Sequence, residues 1–576
     1  MGRDDIVSPC QVKEMIAEGK AIVIMDNYVL RLDSWLNRHP GGDLVIKHMI
    51  GRDATHEITV YHSVATVQKM KAFRIGRKPA GPWPNMTPPI RGGIYTPSET
   101  AKTLESDDDE DLLSHIGDGA SSATSAASSS SSSSIVDDLV ESLEKKAYEA
   151  GLAPGSSDSS GLRRRNATAD ASRPAPKIRH LSPAEYTDWA MQRDISRDLE
   201  EYPSVEPALQ QDIAQKYGEL HQKIVDMGYY NTPYLDYGKE CARYFTLFTL
   251  FIVFLRWQWF VPSAISLGLF WHQIMFSAHD SAHTAITHNW NVDTFISLFI
   301  ADFCCGLSIG WWKSSHNVHH LITNQPEHDP DIQNLPLFAT CPSFFKSLHS
   351  TYYDFTYVWD KASEILVPFQ KYTYYPVMGI ARFNLYLLSW LHVLGNRSAG
   401  LGTTTAWWIR PTEITFMACY WFLFGYVLCW CNIPTWTSRV VFILVSHVIT
   451  MPLHVQITLS HWGMSTSDLG ESESFAQRQL RTTMDVDCPA WMDFVHGGLQ
   501  FQVIHHLFPR VPRHNLRKVQ ALVREFCHET GIPYSILTFT DGNKKVLGRL
   551  DKVGEQVSML VKCQQYMAET GESGLH

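Results

Sequence analysis

Apolar positions are spread unevenly along this chain, and their spacing changes character four times. Residues 6–78 mix short β-like runs, such as Ala21-Ile22-Val23-Ile24-Met25, with helical patches, which predicts a small α+β domain within 1–79. Residues 80–180 lose that patterning. Pro and Gly cluster at 79–93, an acidic run follows at Asp107–Asp111, a Ser/Ala tract fills 119–134, and Arg163-Arg164-Arg165 comes near the end. Such a composition buries too little apolar surface to offset chain entropy, so a disordered Ser-rich linker is expected. Residues 181–243 read as a lead-in of polar, cytosolic helices.

From residue 244 the apolar density jumps. A spanning helix needs about 17–25 apolar residues. Tyr244–Ala278 is long enough for two helices, broken by Arg256-Trp257-Gln258 and Pro262. Thr412–Asn432 and Arg439–Ser460 are two more, joined by a turn at Ile433-Pro434. Thr294–Trp312 contains Asp302, and Tyr374–Leu394 contains Arg382 and Asn384; if the three histidine runs at 279–283, 316–320 and 502–506 are to meet on one side of the membrane, neither of these two segments is expected to cross. The prediction is an all-α integral membrane domain over 244–540, with about four spanning helices and a cytosolic catalytic cap. Residues 541–576 are expected to be a polar C-terminal tail.

Composition changes this picture little. The 44% hydrophobic content is an average over unlike segments. The formal net charge of −10 argues against a nucleic-acid binder, which needs a basic face. The 11 Cys form no CxxC pair, so neither a disulfide framework nor a Cys/His zinc ladder is expected. The start Met1-Gly2-Arg3-Asp4-Asp5 has no apolar signal core.

Histidine, at 26 residues, carries the candidate chemistry. His39-Pro40-Gly41-Gly42 reads as a sharp turn, and His62 lies 23 residues on, with His56 as a nearby alternative. Two neutral imidazoles on opposite faces of a haem leave no open axial position, which suits one-electron transfer. Three further runs stand beside apolar segments: His279-Asp280-Ser281-Ala282-His283, His316-Asn317-Val318-His319-His320, and Gln502-Val503-Ile504-His505-His506. Spacings of three and four put imidazoles on one helical face. Such sites suit iron, zinc or copper. The HExxH glutamate of many zinc hydrolases is missing, and the supply of ligands matches two metals better than one. His461 is a further candidate ligand. His496, His272, Asp280 and Asn317 are candidates for outer positions or for orienting ligand rings. No catalytic side chain beyond the ligands is expected.

The Asp33-Ser34-Trp35-Leu36, HPGG and His62-Ser63 pattern resembles the cytochrome b5 family across about 6–78. HDSAH, HNVHH and QVIHH, in this order, resemble the membrane fatty-acyl desaturases across about 185–540. Gln502 in the third box, together with an N-terminal b5 domain, is characteristic of the front-end subgroup. Finer features look most like the sphingolipid Δ8 desaturases of fungi. The resemblance implies haem b held by His39 and His62. It also implies two irons held by His279, His283, His316, His319, His320, His505, His506, His461 and Gln502, with O2 as co-substrate. NADH-cytochrome b5 reductase would be the electron donor, and a ceramide-type or other acyl lipid the substrate. The endoplasmic reticulum membrane would be the location, with haem domain and active site on the cytosolic side. Front-end desaturation of acyl-CoA or acyl-phospholipid, lipid hydroxylation, and plain electron carriage stay open as alternatives.

Overall fold

The computed structural model describes residues 2–92, 183–395 and 407–570. The expected linker falls outside the described residues except for 80–92, where the expectation of disorder is corrected: Trp83 is buried and donates to the Gly51 carbonyl at 3.0 Å, and Arg91 pairs with Asp468. At the N-terminus, Ile22–Met25 (β1), Tyr28–Arg31 (β2) and Arg74–Arg77 (β3) form an antiparallel sheet in the order β1-β2-β3. All four residues of β1 are buried, as the uninterrupted apolar run requires. The helix Pro9–Ala17 begins with a capping box, in which Ser8 and Gln11 satisfy each other's backbone amides. Leu30, Ile46, Met49, Ile50 and Val67 form the core above the sheet, and Leu321 and Ile322 from the second domain complete it.

The second domain is helical. Tyr234–Arg256 and Phe260–Ala282 form a hairpin over the stretch expected to hold two spans. Its first helix carries Lys239, Glu240, Arg243 and Arg256, and its second is studded with Ser, His and Gln, so neither is apolar enough to count as a span, which corrects the expectation of two crossings here. Among the described residues, three helical stretches are long and apolar enough to cross a membrane: Lys361–Leu394, Ile409–Asn432 and Trp436–Leu459. A fourth is available if Trp290–Cys304 and Ile309–Leu321, bent by 118° at a short break, count as one span. The first of these corrects the expectation that 374–394 is excluded. Arg382 does not face lipid. It is fully buried, donates to the Tyr386 hydroxyl and the Cys305 carbonyl at 2.9 Å each, and lies over the Trp271 ring. A charge satisfied inside the bundle does not stop a helix from being apolar outside.

The expected polar tail needs a second correction. Phe539–Thr570 is a helix whose Val546, Leu550, Val553 and Val557 are buried in a core with Phe338, Tyr374, Val455 and Trp462. The spacing of these four residues is a helical stripe. Gln370 donates to the Leu550 carbonyl at 2.8 Å, and Arg549 pairs with Asp194 at 3.1 Å.

Candidate functional site

His39 and His62 face each other with ring centroids 6.0 Å apart. His39 Nδ1–H donates to the Gly42 carbonyl at 2.8 Å, and His62 Nδ1–H donates to the Ile58 carbonyl at 2.9 Å. Both rings are thereby fixed in the tautomer that leaves Nε2 free as a ligand. Two imidazole–metal bonds of about 2 Å each, plus the ring radii, account for such a gap. A Cβ on Gly41 would lie 2.8 Å from the His39 ring, and Gly42 has φ +89°, so both glycines are needed for the turn. Burial pushes His39 down, and burial with the neighbouring His39 pushes His62 down to about 4. Both are neutral at pH 7, as metal binding requires. The alternative, His56, stacks edge-on against Tyr217 at 5.3 Å, away from this pair.

The three boxes converge. His279 and His283, on the last turn of Phe260–Ala282 and its cap, meet His316 and His505. The ligand-type atoms of these four lie within 4.8 Å of one another. His319, His461 and His506 form a second group by the same measure. His320 lies between the two, 4.4 Å from His316, 4.6 Å from His505 and 4.1 Å from His506, centroid to centroid. His279, His283, His505 and His506 each have a buried Nε2 without a protein hydrogen bond; His320 has such an Nδ1, and His461 has both ring nitrogens so. Buried polar atoms are normally paired. This many unpaired imidazole nitrogens aimed at common points fits metal ligation. Burial pushes His461, His505 and His506 well below the usual histidine range, so each is neutral and carries a free lone pair.

Specific elements aim these rings. Ser308 caps the box-two helix, Ile309–Leu321, accepting from Trp311 N at 2.9 Å. The buried Glu413 accepts from Ser308 and, at 2.9 Å, from Gly310 N, placing a carboxyl group at the helix start. Val503 N donates to Asp485 at 2.8 Å and anchors the box-three helix, Gln502–Leu507. His319 Nδ1–H donates to the fully buried Asp329 at 2.8 Å, and His506 Nδ1–H donates to Gln479 Oε1 at 2.9 Å. Both bonds turn Nε2 toward the second group. Trp312 stacks on His316 at 4.0 Å. Asp329 and Gln479 were not among the sequence candidates. The run His328-Asp329-Pro330-Asp331 has the look of a turn, and Gln479 sits in a polar helix with no motif around it.

Other candidates stand elsewhere. Asp280 is held by Tyr237 and Arg513, with His279 Nδ1 3.8 Å away. The Asn317 amide lies near Gly41 of the first domain, and no bond to a box histidine is found among the described residues. His272 and His496 belong to neither imidazole group. Gln502 is buried on the box-three helix, and its Oε1 has no protein hydrogen bond.

The haem-type pair and the box histidines are neighbours. Tyr61, adjacent to His62, presents its ring edge-on to His320 at 6.1 Å. Arg52 pairs with Glu471 at 2.9 Å and Arg478 with Glu57 at 3.6 Å, while Arg91 pairs with Asp468. Val60 packs with Tyr217 and Phe508. These contacts seat the first domain on the box-two helix and on the 468–478 segment.

Known proteins agree with this division. Residues 8–78 match the family described as cytochrome b5-like heme/steroid binding domain, and 255–538 match the fatty acid desaturase family. The chain is 46% identical over 575 residues to the Delta 8-(E)-sphingolipid desaturase of Emericella nidulans, covering 100% of this chain and 99% of that one. It is 44% identical to the protein of the same name from Komagataella phaffii, covering 97% and 95%. Similarity to the acyl-lipid (9-3)-desaturase of Borago officinalis is 34% over 301 residues, covering 52% of this chain and 65% of that one. With its boxes gathered into two imidazole groups beside a b5-type histidine pair, the chain belongs to the fatty acid desaturase family, in the form fused to an N-terminal cytochrome b5-like domain.

Proposed function

We propose that this protein introduces the E double bond at the eighth carbon of a sphingolipid long-chain base. The observation that carries the substrate reading is similarity along the whole chain to Delta 8-(E)-sphingolipid desaturases, against about half of it for the acyl-lipid relative. His39 and His62 hold haem b. His279, His283, His316 and His505 hold one iron, and His319, His461 and His506 hold the other. His320 stands between them, and Gln502 contributes at the edge of the first. The domain limits are those read from the sequence, with 80–92 joined to the first domain and the C-terminal helix to the catalytic domain.

When bound, the iron pair supplies activation of O2 and removal of two hydrogens from adjacent, unactivated CH2 groups. The balance requires two electrons and two further protons, with O2 leaving as two waters. The chain's own residues prepare this chemistry. Asp329 and Gln479 hold His319 and His506 in the ligating tautomer. The buried imidazoles exclude water from the centre. Tyr61, next to His62 in the chain, packs edge-on against His320 and so links the two sets of ligands through one residue. NADH-cytochrome b5 reductase is the donor that fits a b5-type haem, and the endoplasmic reticulum membrane is the site, with both centres facing the cytosol.

The test is mass analysis of lipids from a host that lacks this double bond. The expected result is a new double bond at the eighth carbon of the sphingoid base, with fatty acids unchanged. New fatty-acid double bonds beside saturated bases would instead select acyl-lipid desaturation, and a hydroxylated base would select hydroxylation.

A further inference from the structure

Three imidazoles that serve neither metal group form a separate polar layer. His272, His454 and His496 are 6%, 6% and 7% exposed, and Gln456 beside them is 3% exposed. They share one wall: His272 packs edge-on against Phe276 at 5.1 Å, a Cβ on Gly497, next to His496, would meet the same ring, and Leu453, next to His454, packs in one cluster with Phe276. Their hydrogen bonds fix each tautomer. Gln273 Oε1 accepts from Arg243 at 2.9 Å, and its Nε2 donates to the Phe494 carbonyl at 2.9 Å and to His272 Nδ1 at 3.2 Å. The His272 proton is therefore on Nε2. His454 Nδ1–H donates to the Met378 carbonyl at 3.1 Å, and His496 Nδ1–H donates to Gln456 Oε1 at 2.8 Å. Both leave Nε2 as an acceptor. Gln456 Nε2 is directed at the Leu499 carbonyl at 3.4 Å, which sets the amide's orientation.

The layer thus presents one N–H donor and two nitrogen acceptors, none with a protein hydrogen bond at Nε2 among the described residues. These groups form no metal cluster. Of the cations nearby, Arg243 is committed to Gln273 and to the Phe494 ring, and Arg382 to Tyr386 and the Cys305 carbonyl. Among the described residues a phosphate or free acid would find no free cation here. A neutral amide with adjacent hydroxyls offers the complementary carbonyl acceptor, N–H donor and O–H donors.

The spacing agrees. His272 precedes His279 by seven residues on one helix, a rise of about 10 Å, and His454 lies about one and a half turns before the end of the helix that leads into His461. An extended chain advances about 1.2 Å per bond, so five or six bonds from the second and third carbons to the eighth cover roughly 6–7 Å. A hydrogen bond of about 3 Å at the polar end makes up the rest.

We propose that His272, His454 and His496, supported by Gln456, bind the amide and hydroxyls of the sphingoid base and set which carbon reaches the metals. This rests on the sphingolipid reading. The test uses the full chain in a host lacking the double bond, comparing wild type with H272F, H496F and H496Q. H272F and H496F are expected to raise the apparent KM about tenfold, the weight of one buried hydrogen bond, and to scatter the double bond over neighbouring positions. Haem and iron content should be unchanged. H496Q, which keeps an acceptor, should restore the single position. In parallel, purified wild type is given a base lacking the hydroxyl on the third carbon; the same rise in KM or scatter is expected, without any variant. An unchanged KM and a single position with that analogue, or in both Phe variants, overturns the proposal. Saturated bases in the wild-type strain would instead overturn the sphingolipid reading.

Discussion

At the residue scale, the site depends on imidazoles turned so that Nε2 faces the other ligands. Asp329 does this for His319, and the pairing is buried on both sides. Asp329→Asn is expected to lower affinity for non-haem iron about 10–100-fold while the haem spectrum stays as in wild type. Metal titration of the chelated protein checks this, and unchanged affinity would remove Asp329 from the account. Legibility in the sequence divides along the same line. The seven box histidines were readable because their spacing places them on common faces. His461 stood alone, yet the fold carries it into the second group. Asp329 and Gln479 were silent, because an orienting bond is made across the fold and leaves no periodic trace.

At the element scale, burial of charge explains most of what the sequence misread. Arg382 and Asn384 argued against a spanning helix at 374–394, but hydropathy counts a charge without knowing where it points. With Arg382 satisfied by Tyr386 and Cys305, the helix keeps an apolar outer surface. The C-terminal helix is the converse case. Its polar face dominates the composition, while the stripe from Val546 to Val557 holds the core. Leu550→Ala is expected to cost about 2–5 kcal/mol, seen as a lower midpoint of thermal unfolding. A midpoint equal to wild type would mean that this helix contributes nothing to the fold.

At the scale of the whole molecule, the first domain is seated rather than merely tethered. The pairs Arg52–Glu471 and Arg478–Glu57 specify its seat, and Arg91–Asp468, from the segment that follows the domain, adds a third. Reversing one charge, Glu471→Arg, is expected to slow reoxidation of reduced haem by O2 and lipid at least tenfold. The double reversal Arg52→Glu with Glu471→Arg should recover much of the rate. Stopped-flow absorbance of the haem follows both, and equal rates in all three proteins would show that electrons do not need this seat. We propose that seven box histidines and His461 hold two irons beside one haem. Iron analysis of the purified protein, set against its haem content, tests this most directly. Two non-haem irons for each haem are expected in wild type, with non-haem iron lost and haem retained in His316→Ala. Haem iron alone in the wild-type protein would contradict it.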